Sequence, residues 1–126
     1  FCKGGFNMNL KLSDSEYRFM LLVWETEPVR SGDLVKLSHD RLGWKKSTTY
    51  TVIKKLAERG FLKNEDTIVS SLVPKEKCQA VESDYFVERT FEGSLPGFIA
   101  AFLGGKTISE KEAEEIKRMI DEHKEG

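Results

Sequence analysis

Hydrophobic positions recur with a helical period through most of this chain, interrupted by one short stretch of β-branched residues. Ser13 and Glu16 have the S-x-x-E spacing of a capping box directly ahead of an apolar run. They predict a first helix from about Asp14 to Glu25, ended before Pro28. Tyr17, Met20, Leu21 and Trp24 share one face, and Phe19, Leu22 and Val23 extend it round much of the helix. That breadth suits the buried centre of a small domain. Ser31 is expected to cap a short second helix, Gly32–Ser38, with Leu34, Val35 and Leu37 turned inward. Gly43 breaks the pattern, and a third helix follows from Lys46 to Arg59. Gly60 stands at the usual position of a C-terminal glycine.

After Gly60 the period changes. Phe61–Lys63 and Thr67–Val73 are β-prone, and Asn64–Glu65–Asp66 between them read as a turn. Three helices followed by a two-stranded ribbon are the parts of a winged helix-turn-helix. From Pro74 the helical period returns, with Cys78, Val81 and Tyr85 at helical spacing and Gly93 as the stop. Leu95, Phe98, Ile99, Phe102 and Leu103 recur at i, i+3, i+4, i+7 and i+8, up to Gly104–Gly105. Ser109 and Glu112 repeat the capping-box spacing, and Ala113, Ile116 and Ile120 line one side of a last, heavily charged helix. The fold class expected is mostly α with a small β-hairpin: a winged-helix domain over residues 8–73 and a helical segment over 74–126. Residues 1–7 precede Met8, a candidate start, and are expected to be a tag or a disordered N-terminus.

Composition narrows the classes. An apolar share of 39% fills a core in a 126-residue chain and leaves a 33% charged share for the surface. No apolar run approaches the roughly 20 residues of a membrane helix, so no membrane insertion is expected. Cys2 and Cys78 are the only cysteines, without metal-type spacing, which suits a reducing cytoplasm. The net charge of −1 hides an asymmetry. Arg30–Lys63 carries nine basic against three acidic residues, and the chain from Asn64 onward carries eight against fourteen. The first stretch suits a polyanion, and the second would be repelled by one. His39 and His123 stand apart, and no nucleophilic triad, phosphate-binding glycine loop or ligand cluster appears. Neither an enzyme nor a cofactor is expected.

The chemistry concentrates on the third helix. At 100° per residue, Thr49, Val52, Ile53, Leu56 and Ala57 fall on an inner face. Ser47, Thr48, Thr51, Lys54 and Lys55 fall on the outer one, with Tyr50 at its edge and Lys45 and Lys46 just ahead of the first turn. Lysine supplies charge for phosphate or a donor for guanine, and threonine offers a hydroxyl and a methyl to base edges. Lys63 is the one wing residue expected to help, because the turn Asn64–Glu65–Asp66 is acidic where phosphate favours cations.

These residues carry a family resemblance. The segment WKKSTTYTVIKKLAERGFL resembles the recognition helix of the BlaI/MecI penicillinase-repressor family, which also contains the CopY copper repressors. The shared features are Trp44, Thr48, Thr51, Lys55, Leu56 and Arg59–Gly60–Phe61. LSDSEYRFMLLVWE is similar to the family's first helix, and FVERTFEGSLPGFIAAFL with ISEKEAEEIKRMID to its C-terminal region. The resemblance implies a winged helix, a three-helix dimerisation segment, and repression by a homodimer on a dyad-symmetric double-stranded DNA operator. In the penicillinase branch a membrane sensor protease acts indirectly to trigger cleavage, and the matching bond here is Ala101–Phe102. Those members carry Asn before the Phe. The paired C-x-C metal site of the CopY branch has no counterpart, since no cysteine follows Cys78.

The C-terminal stripe points the same way on physical grounds. Three short helices can barely bury Phe86, Phe91, Phe98, Ile99 and Phe102 within one chain, whereas a symmetry mate would complete the core. The expected interface comprises Tyr85, Phe86, Phe91, Leu95, Phe98, Ile99, Phe102, Leu103, Ile116 and Ile120. The competing reading is a winged-helix module that docks a protein and never reads DNA, favoured by the acidic wing. An effector-sensing regulator with a small-molecule pocket is a third, opposed by the few polar residues on the C-terminal apolar faces.

Overall fold

The computed structural model describes residues 10–125; the expected tag or disordered segment 1–7 and the Met8 start lie outside the described residues. Helix α1, Asp14–Thr26, opens on the expected capping box. The Glu16 N–H donates to Ser13 Oγ at 3.2 Å, and the Ser13 N–H donates to Glu16 Oε1 at 2.9 Å. Strand β1, Val29–Arg30, leads into helix α2, Ser31–Leu42, and then into helix α3, Lys46–Glu58. Strands β2, Leu62–Glu65, and β3, Ile68–Ser71, form the wing. Helices α4, Lys75–Phe91, α5, Leu95–Leu103, and α6, Glu110–Glu122, complete the chain.

Four expectations are corrected. Helix α2 does not stop at Ser38 but continues to Leu42, where Gly43 at φ 73° ends it. Nothing between His39 and Leu42 breaks a helix. Ser31 is not its cap: Arg30 holds that position, and the Ser31 N–H donates to the Thr67 carbonyl at 2.8 Å. Ser31 is thus the first helical residue, and a tertiary partner satisfies its N–H, one of the donors that a helix start leaves open. The wing's turn is also shorter than expected. Asn64 and Glu65 belong to β2, opposite Val69 and Ile68, and the chain reverses at Asp66 and Thr67, both at positive φ. Two such residues match the twist of the flanking strands.

The sheet, finally, has three strands in the order β1-β3-β2, all antiparallel, where a two-stranded ribbon was expected. Two residues are too few to show a period, so β1 becomes a strand only through pairing with β3.

Phe19, Met20 and Val23 of α1, Leu34 of α2, Leu56 of α3, and Phe61, Leu62 and Val69 of the wing make one fully buried core. Trp24 Nε1 donates to the Val73 carbonyl at 3.0 Å and fixes the end of the wing where α4 begins. Cys78 joins the same core, and Lys11 pairs with Glu82 at 3.2 Å, so the start of α4 rests on the winged-helix domain. Helices α5 and α6 contain no buried residue.

Candidate nucleic-acid interface

Helix α3 is held at both ends and along one face. At its start the Trp44 ring stacks on Phe19, centroids 5.3 Å apart, and the Trp44 N–H reaches the Ser38 carbonyl at 3.3 Å. Thr49, Ile53 and Leu56 are at most 2% exposed, which fixes the helix's rotation about its axis. Thr49 Oγ1 donates back to the Lys45 carbonyl at 3.3 Å and so is turned away from solvent.

The far end is tied by charge. Arg59 Nη1 lies 3.2 Å from Glu16 Oε1, Lys55 Nζ lies 3.5 Å from Glu16 Oε2, and Arg59 Nη2 donates to the Lys11 carbonyl. The Arg59 guanidinium also covers the Phe61 ring at 5.0 Å. Burial pushes the Glu16 pKa up, but the Ser13 N–H, the Arg59 and Lys55 charges and the Ser13 hydroxyl together hold it below the ordinary carboxylate value.

On the opposite face Lys45, Lys46, Ser47, Thr48, Tyr50, Thr51, Lys54 and Lys55 are all exposed. Among the described residues the hydroxyls of Ser47, Thr48 and Thr51 make no side-chain hydrogen bond, and Lys45, Lys46 and Lys54 make no ion pair. Lys55 differs through its contact with Glu16. Lys63 is exposed but lies 3.0 Å from Glu65. The face therefore offers free cations and hydroxyls along one straight helix, and the wing offers a cation already paired.

The C-terminal residues fall into two groups. Phe86, Phe91 and Phe98 form a triangle with centroids 5.6 to 5.9 Å apart, and Phe102 continues it 6.0 Å from Phe98. Tyr85 turns instead toward Lys11 and Arg89, whose charges lie 5.0 and 5.5 Å from its ring centroid. Leu95, Ile99, Phe102 and Leu103 remain exposed on α5, as do Ile116 and Ile120 on α6. Met119, 52% exposed, extends the α6 patch and was missed because the stripe was counted only at Ala113, Ile116 and Ile120. The Ala101–Phe102 bond lies in the last turn of α5, with the Ala101 carbonyl accepting from the Gly104 N–H at 3.3 Å.

A cleft of about 600 Å³ between α1 and α4 is lined by Leu12, Tyr17, Phe86, Val87 and Phe98, with Asp14 and Glu82 also on its walls. Among the described residues no cluster of metal-ligating groups occurs, and no helix is long and apolar enough to cross a membrane.

Comparison with known proteins places this architecture. The penicillinase repressor family matches residues 12–122, which takes in α1 through α6. The chain is 22% identical over 118 residues to the penicillinase repressor of Bacillus licheniformis, covering 90% of this chain and 92% of that one. It is 38% identical over 114 residues to an uncharacterised 16.5 kDa protein encoded in the ptsI 3′ region of Latilactobacillus sakei, covering 87% and 78%. With the family matched over nearly its whole length and the winged helix formed as the sequence led us to expect, this chain belongs to the penicillinase repressor family.

Proposed function

We propose that this protein is a cytoplasmic transcriptional repressor that binds a dyad-symmetric DNA operator as a homodimer, with α3 of each protomer in a major groove. One observation carries the reading. The inner face of α3 is locked into the core by Thr49, Ile53 and Leu56, while its outer face presents Lys45, Lys46, Ser47, Thr48, Thr51 and Lys54 to solvent. A rigidly seated helix with unpaired cations and hydroxyls can reach both phosphates and base edges. Tyr50, Lys55 and Lys63 complete the set, Lys55 after leaving Glu16 and Lys63 after leaving Glu65.

The dimer is assigned to the C-terminal half. An aromatic triangle with open edges and two helices without a buried residue leave apolar surface that a second copy would cover. The pairing spaces two α3 helices by about one DNA turn, roughly 34 Å. Proteolytic relief, triggered indirectly by a membrane sensor protease, would act at Ala101–Phe102. Loss of the chain beyond Ala101 would remove α6 and the end of α5 from the dimer.

An unbiased selection of duplexes by the purified full chain tests the reading. Recovery of a palindrome with half-sites about one turn apart is the expected result. Recovery of no dyad-symmetric sequence sinks it, and would favour a module that docks a protein.

A further inference from the structure

Residues paired across antiparallel strands lean to the same face of a sheet, and successive residues alternate. Val29 and Val69, opposite one another in register, are buried and mark the core side. One step along, Arg30, Ile68 and Glu65 align across the three strands on the outward side, which Lys63 and Ser70 share by alternation. Two cations therefore stand on this face. Lys63 lies 3.0 Å from Glu65, so its charge is offset locally. Arg30 is exposed, and among the described residues its guanidinium makes no ion pair or hydrogen bond.

The position of Arg30 gives that free charge a use. The next residue, Ser31, donates its N–H to the Thr67 carbonyl at 2.8 Å, so Arg30 is one residue from a direct bond to the wing's turn. Glu65 at the end of β2 and Asp66 in the turn are acidic and would repel a phosphate. An arginine fork can hold two phosphate oxygens at once, which an ammonium group cannot.

We infer that Arg30, contributed by the strand ahead of α2 rather than by the hairpin, supplies the wing's contact to the DNA backbone. The inference rests on the reading of α3 as the DNA-reading helix. Asp33, exposed in the first turn of α2, and Glu27, whose carboxylate accepts from the Ser71 N–H and hydroxyl, are the acidic groups nearest along the chain, and neither forms an ion pair with Arg30. A backbone contact sets the angle at which α3 enters the groove and carries no base preference of its own.

The test titrates a labelled operator duplex and a scrambled duplex of equal length with the full chain at several NaCl concentrations. Arg30→Gln, Arg30→Lys, Lys63→Gln and Lys54→Ala are compared with the parent, after matching melting temperatures show that each is folded. Arg30→Gln should weaken both duplexes by a similar factor, on the order of tenfold. It should lower the slope of log affinity against log salt by about 0.9 for each phosphate that is no longer neutralised. Arg30→Lys should keep the slope and lose part of the affinity, and Lys63→Gln should weaken binding by less than Arg30→Gln, because Lys63 must first give up Glu65.

Parental affinity and slope in Arg30→Gln, with Lys54→Ala weakened, would overturn the inference and leave the DNA reading standing. Loss of discrimination between the duplexes without a change in slope would overturn it too, by showing a base contact. A parent that binds neither duplex overturns the DNA reading and this inference with it.

Discussion

The carboxylate of Glu16, at the first turn of α1, lies 3.2 Å from the guanidinium of Arg59, the residue that caps the C-terminus of α3. The same carboxylate caps α1 through the Ser13 N–H and touches Lys55, one of the lysines on the exposed face of α3. One side chain, 9% exposed, thus closes the N-terminus of the central helix and fixes the C-terminus of the proposed reading helix.

Glu16→Ala should therefore cost about 2 kcal/mol in urea unfolding, below the 3 to 5 kcal/mol of a fully buried pair because Arg59 keeps access to solvent. The acid limb follows from the sign of the shift. The folded-state pKa of Glu16 is held below its unfolded value of about 4.3. The contribution is then fully present above that value and is lost as pH falls through the lower folded value. Stability measured from pH 6 down to pH 3 (assay settings, about two units around the ordinary carboxylate value) should fall less steeply in Glu16→Gln than in the parent. Parallel curves would refute the assignment.

Lys54 and Lys55 are neighbours in sequence with different surroundings. Lys55 is already 3.5 Å from Glu16, whereas Lys54 has no acidic partner among the described residues. Lys54→Ala should weaken operator binding by about tenfold, and Lys55→Ala by less, because Lys55 must first give up Glu16. Anisotropy titrations near 150 mM salt, roughly physiological, distinguish them. An equal loss from both would show that the Glu16 contact does not compete with DNA.

On α6, Ile116 and Ile120 are exposed and the helix buries nothing within its own protomer. Ile116→Asp with Ile120→Asp should therefore convert the proposed dimer to monomer in sedimentation equilibrium while the winged-helix domain melts at the parental temperature. Operator affinity should fall with it, since two helices joined bind far more tightly than one. An unchanged dimer would move the interface elsewhere.

Cys78 is buried in the core, and burial pushes its thiol pKa up, which suppresses the reactive thiolate. In a Cys2→Ser variant, a thiol reagent at pH 8 (an assay setting, about half a unit below the ordinary thiol value) should react slowly with native protein. Reaction should be rapid once urea unfolds it. Fast native labelling would show that α4 leaves the winged-helix domain readily.

The apolar rhythm of the sequence determined the number and order of helices, because a 3.6-residue period over ten or more residues has one economical reading. Ser13 with Glu16 marked the start of α1, Gly60 the end of α3, and the split of α3 into Thr49–Ile53–Leu56 and Ser47–Thr48–Thr51–Lys54 its two faces. All of these are local signals. Tertiary contact decided the rest. Val29–Arg30 becomes a strand only beside β3, and Ser31 finds its partner in Thr67, 36 residues away in the chain. Glu16 reads from sequence as a cap alone, yet folding brings Arg59 and Lys55 to it and divides the lysines of α3 into paired and free. Local propensity specifies the elements, and the charges that remain available to a partner depend on which side chains the packed helices bring within a few ångströms.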